Sequence, residues 1–204
     1  MAAMPGRETG SDPHIGQAPG RLALLQAFVN TLDVEQATDD LSSPAALDSW
    51  LRSAGLSPRP AGQARPAELA LAVELREALR GVLRSHVARQ PAAVAEPAAR
   101  LAEIASAMPA RINAAADGSL HVVADEKDSQ AAFAELLLIA AEAQTLGTWS
   151  RLKVCSADDC QWAFYDRSPT RSGCWCSMQV CGSRAKSRAY RERSAARAGP
   201  VLER

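Results

Sequence analysis

The sequence predicts a mostly α chain with a small β-hairpin, an α+β protein in which a helical N-terminal domain is followed by a short cysteine-rich module. Three observations carry that expectation. Hydrophobic residues make up 47% of the 204 and aromatic residues only 4%, with alanine and leucine plentiful, a mixture that favours helix. Apolar residues recur at helical spacing through most of the first 150 positions. Four of the five cysteines then fall in two equally spaced pairs within the last quarter.

The formal net charge is zero, but residues 1–150 hold 12 Lys and Arg against 18 Asp and Glu, whereas residues 151–204 hold 11 against 5. The last quarter is therefore a basic module on an acidic body, and such a local excess bears on partners more than the whole-chain balance does. Residues 1–19, rich in Gly and Pro and without an apolar period, read as a mobile tail. No apolar core follows the early charges, so a signal peptide is not expected, and no run approaches the roughly 18 apolar residues of a membrane span. A cytoplasmic chain is the expectation, and there clustered cysteines hold metal more often than they form disulfides.

Folding begins after the tail. Leu22, Leu25, Val29 and Leu32 lie on one face of a first helix. Ser43 followed by Pro44 forms a helix start and Gly55 a stop, which frames a short second helix. From Pro66 to about Ala88 runs the clearest amphipathic helix, with Leu71, Leu75, Leu79 and Val82 on one face and Arg76, Glu77, Arg80 and Arg84 off it. A further helix is expected over about 92–107. Two alternating runs around Asp117-Gly118 then predict a hairpin with strands near 110–115 and 119–124. The last helix of the body, about 129–147, is apolar around much of its circumference through Phe133, Leu136, Leu137, Ile139 and Ala140, and so belongs at the centre of the core.

Cys155-x4-Cys160 and Cys176-x4-Cys181 are separated by 15 residues. Two short-spaced pairs joined by the length of a small hairpin build a tetrahedral thiolate site, each pair supplying two sulfurs from one turn. Four thiolates favour Zn2+, one ion per chain in a closed structural role, with iron the other metal they can hold. Two disulfides or buried unligated thiols are the other readings. A module of about fifty residues with few large apolar groups needs such a staple to fold. Cys174 stands one residue from Cys176, too close to share the ion, and is read as a neighbour. The stretch between the pairs alternates as a strand, with Trp162 and Phe164 on one face and Ala163 and Tyr165 on the other. Ser177 then caps a helix whose first turns include Cys181. The result is a zinc-binding hairpin-and-helix unit, treble-clef-like in outline.

Along that helix, Arg184, Arg188 and Arg191 share one face, and Lys186, Tyr190, Arg193 and Arg197 another, while Met178, Gly182, Ala185 and Ala189 form a small-sided stripe suited to packing. Two cationic faces remain for phosphate contacts, so Arg184, Lys186, Arg188, Arg191 and Arg193 are the candidate DNA-binding residues. The competing reading is a solvated face, or a surface that docks on an acidic partner or on the acidic body of the same chain.

These residues resemble the CGNR zinc finger, a bacterial C-terminal module, over about Arg151 to Arg193. The matching elements are Cys155 and Cys160, "WAFYDRS", "WCSM" and "CGSR" followed by Ala-Lys. The body, through "FVNTLD" at 28–33 and "WLRSAGL" at 50–56, is similar to the N-terminal domain usually joined to that finger. The resemblance implies a transcriptional regulator linked to stress, with an N-terminal domain that senses a small-molecule effector; a body that forms a homodimer is the other expectation for that domain. Two positions depart from the family pattern: Ser183 stands for its asparagine and Cys174 for its usual arginine. Serine is shorter and lacks the paired donor and acceptor of the amide, so it replaces only part of that role.

The remaining candidates are weaker. His14, His86 and His121 lie in no motif and read as incidental. Asp158 and Asp159 read as knuckle surface, and Asp166 as an acceptor supporting the zinc loop. Asn30 and Thr31 either line a ligand pocket or make local backbone bonds. No Ser-His-Asp set, H-E-x-x-H or glycine-rich phosphate loop is present, so catalytic residues are not expected and a non-enzymatic regulator is.

Overall fold

The computed structural model describes residues 15–56, 64–88, 94–108, 110–124 and 129–198. Residues 1–14 of the expected tail, His14 among them, lie outside these, as does the side chain of Arg197. The chain is mostly helical with small antiparallel strand pairs.

In order, the elements are β1 (Ile15–Gly16), α1 (Leu22–Val29), β2 (Leu32–Asp33), β3 (Thr38–Asp39), α2 (Pro44–Ser53), α3 (Pro66–Ala88), α4 (Ala95–Ser106), β4 (Ala110–Ala114), β5 (Leu120–Ala124), α5 (Ser129–Thr145), β6 (Leu152–Val154), β7 (Ala163–Asp166) and α6 (Ser183–Ala198). The start and stop signals act as expected at α2: the Ser43 hydroxyl accepts from the Ala46 N–H at 3.2 Å, Pro44 takes the first helical position, and Gly55 has φ +70°. The Asp117-Gly118 turn closes β4 on β5 with Ile112 opposite Val122. Gly81 is required for packing, because a Cβ there would lie 2.6 Å from Cγ of Pro97 and push α4 off α3.

The core gathers Leu25, Phe28, Leu47, Leu51, Leu75, Leu79, Leu83, Phe133, Leu136 and Ile139, all fully buried. α5 runs through it as the sequence implied, with α1 and α3 against it.

Three expectations are corrected. The first concerns the tail. Ile15 and Gly16 pair with Asp166 and Tyr165, which makes β1 the third strand of a β1-β7-β6 sheet, and Ala18 is buried. Period-based reading passes over a two-residue strand of this kind. The second is the end of α1. Leu32 belongs to β2 and not to the helix, because the helix stops at Val29, whose carbonyl accepts from Nη2 of Arg80 at 2.7 Å. A cation from α3 thus satisfies a carbonyl that further helix would have used. The third is the polar face of α3. Arg76 and Arg80 are only 2% and 4% exposed. Arg76 grips both carboxylate oxygens of Asp39, at 2.6 and 2.9 Å, and also donates to the Thr31 hydroxyl at 3.2 Å. The two arginines bind the β2-β3 ribbon and the end of α1 to the long helix.

The β6-β7 hairpin has one face in the body. Leu152, Val154, Ala163 and Tyr165 belong to the main core, while Cys155, Trp162 and Phe164 form a second cluster with the other cysteines. The register Leu152 to Tyr165, Lys153 to Phe164 and Val154 to Ala163 produces this division, since paired residues share a face and neighbours alternate.

Candidate metal centre and basic helix

The second face of the hairpin builds the thiolate cluster. Cys155 leaves β6 with its N–H still donating to Trp162 O at 2.9 Å, so the ladder holds it in register. The chain then turns, with Cys160 N–H donating to Ala157 O at 3.0 Å and Gln161 at φ +52°, and re-enters as β7. From the other side, the Ser177 hydroxyl accepts from Val180 N–H at 3.2 Å, and a wide π-type turn over Met178–Gly182 leads into α6. That turn seats Cys181 beneath Cys176, with Cβ space over Gly182 taken by Met178 and Trp175. A side chain at this glycine of "CGSR" would need Met178 and Trp175 to give by a few tenths of an ångström.

All four sulfurs lie within 4.8 Å of one another and all four residues are buried. Cys160 Sγ is 3.5 Å from Cys176 Sγ, which is 3.7 Å from Cys181 Sγ, and none of the cysteines is in a disulfide. A tetrahedral ion with metal–sulfur bonds of about 2.3 Å sets its sulfurs about 3.8 Å apart. The two shortest separations, 3.5 and 3.7 Å, are close to that spacing, and the full set stays within 4.8 Å. Its charge also calls for a cation. Hydrogen bonds from Cys160 and Cys176, together with the N–H groups of Cys176 and Ala157, pull Cys155 down to about 2. The bonds Cys176 makes to Cys155 and Cys160 push it far up, and burial followed by the charge on Cys155 and Cys160 pushes Cys181 up to about 12. Bare, Cys176 and Cys181 resist ionising beside Cys155, and a bound dication would remove that conflict.

A buried ion pair braces the loop between the hairpin and the second pair of cysteines. Lys153 Nζ, 2% exposed, donates to Asp166 Oδ2 at 2.7 Å, Arg171 O at 2.6 Å and Gly173 O at 3.0 Å. Asp166 also accepts from the N–H of Ser168 and of Gly173. Burial opposes its charge, but Lys153 and those N–H groups hold its carboxyl at about 2. The loop-supporting role expected of Asp166 thus has a geometry, and Lys153 is its partner. Cys174 is half-buried and outside the four-sulfur cluster; its carbonyl accepts from Ser156 N–H at 2.9 Å, and burial pushes its thiol up.

Asn30 is engaged in the joint between body and hairpin, and Thr31 in bonds to the end of α1 and to Arg76. Asn30 Oδ1 accepts from Ala163 N–H at 2.7 Å and its Nδ2 donates to Ala163 O at 2.9 Å, so the side chain pairs with β7 as a strand would. The Thr31 hydroxyl donates to Phe28 O at 2.8 Å. The same joint uses Arg80, which donates to Gln161 O at 2.8 Å, and His86, whose Nδ1 bonds Leu152 O at 2.8 Å while its ring meets Trp149 edge-on at 5.4 Å. Burial, opposed by the Leu152 carbonyl, lowers the His86 pKa. His86 is not incidental, and neither it nor Arg80 is marked by spacing, since their partners Leu152, Gln161 and Val29 lie more than fifty residues away.

The five candidate DNA contacts all stand exposed on α6, but not alike. Arg184 pairs with Glu35 at 2.8 Å and Arg188 lies 3.7 Å from Asp159, whereas Lys186, Arg191 and Arg193 make no ion pair among the described residues. Arg184, Arg188 and Arg191 line a groove of about 550 Å³ with Ser183, Ser187 and Asp159. Ser183 is exposed there, its hydroxyl donating to Met178 O at 3.3 Å. Of the small-sided stripe, Gly182 is buried and Ala185 and Ala189 half-buried, while Met178 is 41% exposed. Asp158 and Asp159 are knuckle surface, as expected, and each faces an arginine.

A hairpin turn and a helix start that each contribute two cysteines to one buried cluster define a metal-binding finger, here fused to a helical domain. Residues 151–194 match the family model described as CGNR zinc finger, and residues 20–148 match the one described as Putative stress-induced transcription regulator. The chain belongs to the latter family, with the CGNR zinc finger following the family domain. No curated protein matches the chain. Among the described residues no helix is long and apolar enough to cross a membrane.

Proposed function

We propose that the protein is a non-enzymatic, cytoplasmic transcription regulator that binds one Zn2+ per chain at Cys155, Cys160, Cys176 and Cys181 and meets DNA with Arg184, Lys186, Arg188, Arg191 and Arg193. One observation carries the reading: α6 starts at the thiolate cluster and projects its exposed cations from that anchor. An ion at its base keeps the helix in one place, which lowers the ordering cost of binding a polyanion. Four thiolates with no open position give the metal a structural role and leave nothing for substrate. The family description supports regulation, and the basic excess of residues 151–204 supports a phosphate partner.

Retention of a labelled duplex by the zinc-loaded protein, followed as salt rises, tests this. With three to five phosphates engaged, the log–log slope against salt should be about −3 to −4.5. Retention that does not change with salt, or no retention at all, sinks the reading. The second reading, docking of the helix on an acidic protein surface, draws on the Arg184–Glu35 contact and predicts partner capture insensitive to nuclease.

A further inference from the structure

We infer that the two cationic flanks of α6 are unequal, the Lys186–Arg193 flank being open to a polyanion while Glu35, at the tip of the β2-β3 ribbon, competes with it for Arg184. This rests on the phosphate-binding reading above and adds its regulation.

The argument runs outward from α3. Arg76 holds Asp39 of β3 by two bonds, and Arg80 holds the carbonyls of Val29 and, at 3.5 Å, Leu32, so both ends of the ribbon are fixed to the buried side of that helix. Between them the chain must reverse within four residues. Gln36 N–H donates to Asp33 Oδ1 at 3.0 Å and Ala37 takes φ +53°, a tight turn with Glu35 on it. Glu35 is therefore delivered by a rigid support, and it meets Arg184 across 149 positions of sequence. Its own carboxylate is about three-quarters covered, whereas nearly half of the arginine remains accessible. The carboxylate is built into the body; the arginine can turn away.

A phosphate approaching α6 therefore meets two different surfaces. On one flank Lys186 and Arg193 are exposed beside Tyr190, with no ion pair among the described residues. On the other, the groove already holds a carboxylate from the knuckle, Asp159, and Glu35 grips its first arginine. Binding there exchanges one anion for another and releases fewer counterions than the cation count implies. The ribbon thus links the helical domain directly to the basic helix, so a shift of the ribbon against α3 would alter how many arginines a polyanion can use.

Four variants test this, each at an exposed or surface ion-pair position: Glu35→Gln, Arg184→Gln, the double substitution, and Lys186→Gln. The probes are a labelled duplex and a heparin column. Glu35→Gln should tighten duplex binding about two- to fivefold, the range of an exposed ion pair, and steepen the salt slope by about one ion. Arg184→Gln should weaken wild-type binding, but by less than Lys186→Gln does because Glu35 already offsets part of its charge, and it should erase the gain when placed in the Glu35→Gln background. Lys186→Gln should weaken both backgrounds equally. If Arg184→Gln weakens the wild type as much as Lys186→Gln does, or if the Glu35→Gln gain survives in the double variant, the inference is overturned; the second outcome would mean a general field and not a grip. Heparin binding in the expected order without duplex binding would sink the DNA reading and keep the grip, and binding to neither probe overturns both.

Discussion

The Lys153–Asp166 pair offers the sharpest test of how the finger is held. Replacing Lys153 by Met keeps the aliphatic stem and removes an ammonium that satisfies one carboxylate and two carbonyls, at 2.7, 2.6 and 3.0 Å. Asp166, fully buried, would keep its bonds from Ser168 and Gly173 but lose its cation. Breaking a buried pair on one side costs about 3–5 kcal/mol, a large part of the 5–15 kcal/mol that typically holds a domain together. Replacing Asp166 by Leu as well removes the stranded charge. The double variant Lys153→Met/Asp166→Leu should then be about 2–3 kcal/mol more stable than the sum of its single losses. Urea unfolding of the zinc-loaded protein, read by fluorescence of Trp162 and Trp175 beside the cluster, measures all three. A loss below about 1 kcal/mol for Lys153→Met, or strict additivity in the double variant, would refute a coupled buried pair and leave an ordinary surface contact in its place.

Two further outcomes follow from the joint. His86 is held below its ordinary pKa in the folded state, so the unfolded chain takes up its proton first as pH falls; the stability it contributes is complete above about pH 6.5 and shrinks below it, and urea titrations at about pH 7.5 and about pH 6 should show His86→Gln flattening that loss. Chelation of the metal, or Cys155→Ser, should lower the melting temperature of the helical body as well as unravel the finger, because Val154, Ala163 and Tyr165 line the main core; an unchanged body transition by calorimetry would contradict that continuity.

What could be read from residues alone followed from periodicity and local chemistry. α3 spans Pro66–Ala88 as its apolar stripe implied, Ser43 caps α2, and Asp117-Gly118 turns β4 into β5. The clustering of the four cysteines was legible because a closed thiolate site needs two sulfurs from each of two turns, and the alternation of Trp162 and Phe164 against Ala163 and Tyr165 foretold both faces of β7. What escaped was set by distant partners. Helical periodicity places arginine off the apolar face, and nothing local to Arg76 or Arg80 announces that Asp39, Val29 and Gln161 wait to receive them. Asn30 was visible as a polar residue at a helix end, but its pairing with the backbone of Ala163 depends on a hairpin 133 positions later. β1 was hidden for the same reason.

That short strand has a temporal consequence. Ile15 and Gly16 are made early, and their partners Tyr165 and Asp166 come 150 positions later. During synthesis the sheet must stay two strands short, and the helices of the body must wait with an open wall, until the hairpin emerges and closes both. A body cut off after residue 150 would thus be an unfinished core, and a finger transplanted onto another helical domain would have to bring a matching wall with it.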